Sequence, residues 1–106
     1  MYLIREVMYC KPGKVRPLVE KFLAMSKLSE KLGMGKMRVM TDVSAERYWT
    51  LVGEMEVPTL QAFEEMISGA PPKGASEKDM KEFETIMQGY HDLVDVGKRE
   101  IYKIEG

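Results

Sequence analysis

"MYCKPGKVRPLVEKF", Met8 to Phe22, joins an apolar run to a helical pattern through one tight turn. The apolar side ends at Cys10, Pro12 and Gly13 punctuate the exit, and amphipathic spacing begins at Lys14. Upstream, Tyr2 to Cys10 is rich in β-branched, aromatic and other apolar residues and reads as a strand. Downstream, Val15, Leu18, Val19, Phe22, Met25, Leu28 and Leu32 fall on one face of an α-helix. Pro17 fits only the first turn of that helix, where its missing N–H has no intrahelical partner. Gly33 supplies a left-handed stop. Gly13 takes a backbone conformation that side chains disfavour, and this lets the chain reverse onto the strand it has just left. The lysines beside a helix N-terminus also suit an anion. No glycine-rich cradle accompanies them, so the joint is read as structural.

The rest of the chain supplies the partners of that strand and helix. Lys36 to Val43 alternates Met37, Val39, Thr41 and Val43 against Arg38, Met40 and Asp42, the period of a strand. Ser44 to Glu46 reads as a hairpin loop. Arg47 to Val57 is a third strand, with Trp49, Leu51, Met55 and Val57 on one side. Tyr48, Thr50, Val52, Glu54 and Glu56 lie on the other. Pro58 breaks it and Thr59 caps a short helix striped by Leu60, Phe63, Met66 and Ile67 and ending near Gly69. Residues 70–75 read as a loop. Ser76 and Asp79 resemble a capping box. Met80, Phe83, Met87, Tyr90 and Val94 then mark a long amphipathic helix that Gly97 ends. Lys98 to Ile104 closes the chain as a strand.

The order β-α-β-β-α-α-β, with right-handed crossovers, predicts an α+β, ferredoxin-like fold: a four-stranded antiparallel sheet with helices on one face. The apolar first and third strands go inside. The second and fourth carry Lys36, Arg38, Asp42, Arg99 and Lys103, charges that protect edges. The helices cover one face only, yet both faces of the inner strands are apolar. Leu3, Val7 and Tyr9 point one way, and Tyr2, Ile4 and Met8 the other. Leaving such a face wet forgoes roughly 25 cal/mol per Å². A second copy packed sheet to sheet about a two-fold axis is the expected cover, so the expected partner is the chain itself as a homodimer.

Bulk properties narrow the function. A length of 106 residues suits one domain spanning 1–106. The apolar fraction of 44% and charged fraction of 31% suit a soluble globular domain. A net charge of -1 gives no electrostatic footprint for nucleic acid or an anionic membrane. Nothing approaches the ~20 apolar residues of a membrane span. Arg5 and Glu6 interrupt the N-terminal apolar run, so it does not read as a signal peptide. One cysteine, Cys10, permits no internal disulfide and suits a reducing, cytoplasmic compartment. The ten methionines suit an adaptable core or, alternatively, a deformable pocket for an apolar ligand.

Few residues point to chemistry. His91 is the one histidine, placed on the last long helix, and no ligand set for a metal surrounds it. Cys10 has only Lys11 beside it and reads as an inert thiol. Trp49, Tyr48 and Tyr9 suit a core, a dimer contact or the wall of an aromatic pocket. Arg5 or Arg38, if its strand turns it inward, must pair, with Glu6 or Glu54, or meet an acidic ligand. There is no Ser-His-Asp order, phosphate loop or dinucleotide fingerprint.

"REVMYCKPGKVRPLVEKF" at Arg5 to Phe22 and "RYWTLVGEMEVPTLQAFEEM" at Arg47 to Met66 resemble the dimeric α+β-barrel superfamily. The similarity is to its antibiotic-biosynthesis-monooxygenase and NIPSNAP-like members, and the element order carries it over nearly the whole chain. The resemblance implies sheet-to-sheet dimers with a cavity between sheet and helices. It also implies, for some members, cofactor-free oxidation of phenolic or polyketide-like compounds. Haem-degrading members use a strand asparagine, a strand tryptophan and a helical histidine. Trp49 and His91 fit two of these places, but the chain contains no asparagine, a departure that counts against that chemistry. The expectation is therefore a cavity for an apolar or aromatic small molecule, lined by Tyr9, Arg38, Met40, Trp49, Met87 and His91. His91 and Trp49 are the catalytic candidates, and no cofactor and no metal are expected.

Overall fold

The computed structural model describes residues 1–68 and 74–106. The expected end of the second helix at Gly69 and most of the loop over 70–75 lie outside the described residues. The strands are β1 (Tyr2–Cys10), β2 (Arg38–Thr41), β3 (Thr50–Val57) and β4 (Val94–Lys103), and the helices α1 (Val15–Lys31), α2 (Leu60–Ile67) and α3 (Glu77–Met87). They build a four-stranded sheet in the order β2-β3-β1-β4, antiparallel throughout. The fold is α+β and ferredoxin-like, with the apolar strands inside as expected. It is a slab, 38 × 37 × 19 Å along its principal axes.

Register fixes which side chains meet the helices. Tyr2, Ile4 and Met8 of β1 stand opposite Val57, Met55 and Leu51 of β3, all on one face. Leu18, Val19 and Phe22 of α1 bury against Cys10 and Leu51, and Phe63 of α2 buries against Ile4 and Val57. Gly53 is the gap that lets α1 approach. A Cβ there would lie 2.9 Å from Met37 Sδ and 3.2 Å from a ring carbon of Phe22.

Local signals explain the boundaries. Gly13 and Gly33 both have positive φ, 76° and 75°, as their turns require. Behind Gly33, Met34 N–H donates to Ser29 O and Gly33 N–H to Glu30 O, closing α1 with a Schellman pair. Ser76 and Asp79 form the expected capping box, each side chain accepting from the other's backbone N–H at 3.1 Å. Those bonds hold the Asp79 carboxyl below its ordinary range.

The structure corrects the sequence reading in three places. The last helix does not run to Val94. Gln88 leaves the helical region, Gly89 turns with φ 81°, and a 3-10 turn at Tyr90–Asp92 leads directly into β4. His91 therefore sits on that turn and not on a long helix, and β4 begins at Val94 instead of Lys98. Tyr90, Leu93 and Val94 pack on the same core as Met87, so their apolar spacing mimics a continuing helix. β2 starts at Arg38 because Ser26 Oγ of α1 holds Met37, accepting its N–H and donating to its carbonyl, both at 3.0 Å. β3 starts at Thr50, not Arg47, because Trp49 has φ 60° and cannot extend the ladder. The connection is thus a loop over 42–49, longer than a Ser44–Glu46 hairpin.

Candidate functional site: a cleft at Trp49 and a charged band on the open sheet face

Trp49 is the described non-glycine residue with positive φ. For a bulky side chain this costs about 1–3 kcal/mol, so surrounding bonds must impose it. They do so on both sides. Cys10 N–H donates to Trp49 O at 2.8 Å, and Thr50 N–H donates to Asp42 Oδ1 at 2.9 Å. Thr50 Oγ1 donates to Arg47 O at 2.7 Å, and Asp42 N–H to Thr50 O at 3.2 Å. The loop is closed by its own base, and the indole is turned out of the sheet to 45% exposure.

The indole borders a cleft of about 550 Å³ between loop 42–49 and the start of α1. Gly13, Val15 and Arg16 form one wall, and Thr41, Asp42, Tyr48 and Trp49 the other. Tyr48 is 85% exposed beside Trp49, two adjacent aromatics with no core to fill. Arg16 makes no ion pair among the described residues. Asp42 spends one carboxylate oxygen on the loop itself. Cys10 lies beneath, buried, its thiol pushed up by burial and by the charge of Asp42. A thiol so held stays protonated and is a poor nucleophile.

A second feature lies on the sheet face away from the helices. The charges Arg38, Glu54, Arg5 and Glu100 run straight across β2, β3, β1 and β4, each facing the next in register. Arg38 Nη2 and Arg5 Nε donate to the two oxygens of Glu54, each at 2.8 Å. Arg5 Nη1 donates to Glu100 at 3.0 Å, and Tyr102 OH donates to Glu100 at 3.2 Å. The hydrogen bond from Arg38 leads the interactions that hold the Glu54 carboxyl below its usual range. Arg5 thus pairs with Glu54, as one alternative in the sequence reading had it, while Glu6 points to the helix side and pairs with Arg99.

Apolar residues flank the band. Leu3 and Tyr102 lie toward one end, and Val7, Tyr9, Val52, Met40 and Val96 toward the other, by strand alternation. Loop 42–49 roofs part of the second group. The Arg47 guanidinium stands 4.3 Å over the Tyr9 ring and reaches Asp95 at 3.4 Å. Val7 and Tyr9 are buried in consequence, whereas Tyr102 and Val96 are each 48% exposed.

The six expected lining residues occupy separate places. Tyr9, Arg38 and Met40 stand on the open face. Met87 packs into the core at the end of α3. His91 is exposed, its ring 3.9 Å from that of Tyr90. Trp49 alone of the six borders the cleft. Among the described residues no three of the His, Cys, Asp and Glu side chains gather as a metal site. Sequence reasoning missed Arg16 and Asp42 as wall residues. The one available signal was an aspartate shortly before a Tyr-Trp pair, the composition of a loop more than of a strand.

The sequence matches no protein-family model and no curated protein. Solved structures share the fold. An uncharacterized NIPSNAP-like domain protein from Burkholderia xenovorans superposes with a TM-score of 0.68 at 12% identity, over 98% of this chain and 84% of that one. A protein from Pseudomonas aeruginosa gives 0.67 at 14% identity, over 98% and 94%. A NIPSNAP family protein from Agrobacterium tumefaciens gives 0.63 at 9% identity, over 96% and 90%. The chain therefore has the fold of the NIPSNAP-like structures. No helix among the described residues is long and apolar enough to cross a membrane.

Proposed function

We propose that the protein works as a cytoplasmic homodimer, joined through the open sheet face, that holds an aromatic small molecule in the Trp49 cleft. One observation carries the binding reading: a strained backbone, fixed by hydrogen bonds at Trp49 and Thr50, presents Trp49 and Tyr48 to a cleft instead of to the core. Strain of that kind persists where a function maintains it. Arg16 at the opposite wall favours a ligand with an acidic group, since a guanidinium with no ion pair among the described residues gains most from a carboxylate. The cleft-lining groups suit recognition more than reaction: Asp42 is engaged by the loop, and His91 does not border the space.

The sole tryptophan reports its own site. Titration with 2-naphthoate is expected to quench or shift Trp49 fluorescence saturably. Calorimetry with the same probe on Trp49→Ala should show affinity at least tenfold weaker, about 1.4 kcal/mol. Arg16→Ala should weaken it less, and His91→Ala should leave it unchanged. Undiminished affinity in Trp49→Ala sinks the reading. Oxygen uptake with a quinol that depends on His91 would replace binding with turnover.

The dimer rests on Leu3, Tyr102 and the band, which loop 42–49 leaves uncovered. Light scattering should report twice the 12.2 kDa of one chain, and a single-chain mass removes this half of the proposal.

A further inference from the structure

We infer that the ligand of the Trp49 cleft is a zwitterion: an aromatic body with an ammonium group at one end, held by Asp42 beside the indole, and a carboxylate at the other, held by Arg16. The inference rests on the binding reading of that cleft and adds the second charge of its ligand.

The cleft presents two opposite charges that do not meet. Asp42 and Arg16 stand on facing walls. Neither makes an ion pair among the described residues. Asp42 Oδ1 accepts from Thr50 N–H, which anchors the carboxylate next to the Trp49 backbone and leaves its second oxygen uncommitted among the described residues. Arg47, the cation of the same loop, is taken by Asp95 at 3.4 Å and by the Tyr9 ring, so it does not serve Asp42. On the other wall, α1 has no acidic residue in its first turn to offset its dipole, and Glu20, one turn further on, does not pair with Arg16.

A ligand that fills this space expels water from both charges. A simple aromatic acid satisfies Arg16 but dries the Asp42 carboxylate without giving it a counter-ion, which is costly. An aromatic amine does the same to Arg16. A ligand charged at both ends satisfies both walls at once. The aromatic side chains select its orientation. Trp49 and Tyr48 share the wall with Asp42, and ring faces attract cations, indole most strongly, so an ammonium there gains from ring and carboxylate together. The planar guanidinium opposite suits a carboxylate, which it can hold by two parallel hydrogen bonds. Because the walls face each other, the charges of the ligand are separated by its ring and do not share one carbon.

Three probes of one shape test this by calorimetry on the wild-type chain. They are 4-(aminomethyl)benzoate, 4-methylbenzoate, which lacks the ammonium, and 4-methylbenzylamine, which lacks the carboxylate. The zwitterion should bind about tenfold more tightly than either, the gain of one charge-assisted contact. Its preference over 4-methylbenzoate should vanish in Asp42→Asn, since asparagine keeps an acceptor for Thr50 N–H and loses the charge. Its preference over 4-methylbenzylamine should vanish in Arg16→Gln. Trp49 emission from the unliganded variants reports whether the loop has kept its place, and if it has not, the wild-type preference decides by itself. Equal wild-type affinity for the zwitterion and either single-charge probe overturns the inference, while saturable binding of 2-naphthoate keeps the cleft reading. A preference over 4-methylbenzoate that survives Asp42→Asn with unshifted emission overturns it too. Binding of none of these probes, 2-naphthoate included, fails the cleft reading itself and the inference with it.

Discussion

A missing side chain and a carboxylate show how much single residues decide here. Gly53 faces Phe22 and Met37 so closely that Gly53→Ala must push aside both the Met37 side chain and the buried Phe22 ring of α1. The expected loss is about 1–3 kcal/mol in chemical denaturation, in the range of overpacked cores. Gly97→Ala is the control, since its nearest neighbour at 3.0 Å is the flexible tip of Met8, and it should cost less. Glu54 sets a pH dependence. Its folded pKa is depressed below the ordinary 4.5, chiefly by Arg38. A carboxylate so held contributes stability above the unfolded pKa and loses it as pH falls through the folded one. Wild type should therefore lose stability below about pH 4.5 more steeply than Glu54→Gln, as thermal melts across that window will show. Trp49 marks the limit of reading residues from sequence. Glycine or asparagine announces a left-handed site, and tryptophan does not, because the conformation is imposed by Asp42, Cys10 and Thr50 from outside.

Elements were legible where local signals and core burial agree. β1 has the bounds that its composition implies, and α1 begins after Gly13 and stops before Gly33. The capping box at Ser76 was equally readable, and Ser76→Ala should lower stability by about 0.5–2 kcal/mol, measured in urea. Elements were misread where the core recruits residues without regard to their secondary structure. Tyr90, Leu93 and Val94 keep helical spacing yet reach the core from a 3-10 turn and the start of β4. Lys21 of α1 contributes to that break. Its ammonium donates to the carbonyls of Ile86 and Gln88 at 3.0 and 2.8 Å, satisfying acceptors that end α3. Neither the span to α1 nor the bond itself shows in a local window. The cleft escapes for the same reason, since its walls come from a helix start and a loop well separated along the chain.

At the scale of the molecule, two apolar sheet faces and one layer of helices were legible as an incomplete body, and the structure shows the uncovered side. What the sequence hid is its division into a part roofed by loop 42–49 and a part crossed by charge. Tyr102 belongs to the unroofed part and is 48% exposed. Tyr102→Glu, which removes the hydroxyl that donates to Glu100, should cost one chain about 1 kcal/mol while shifting the mass seen by light scattering to that of a single chain. A plate 19 Å thick and nearly 40 Å across tumbles about its axes at unequal rates. Two such plates laid flat upon each other approach a cube, whose rotation is the same in every direction. Amide relaxation that fits one correlation time for all strand orientations would thus reveal the stacked pair, whereas a lone plate would spread those times by bond direction.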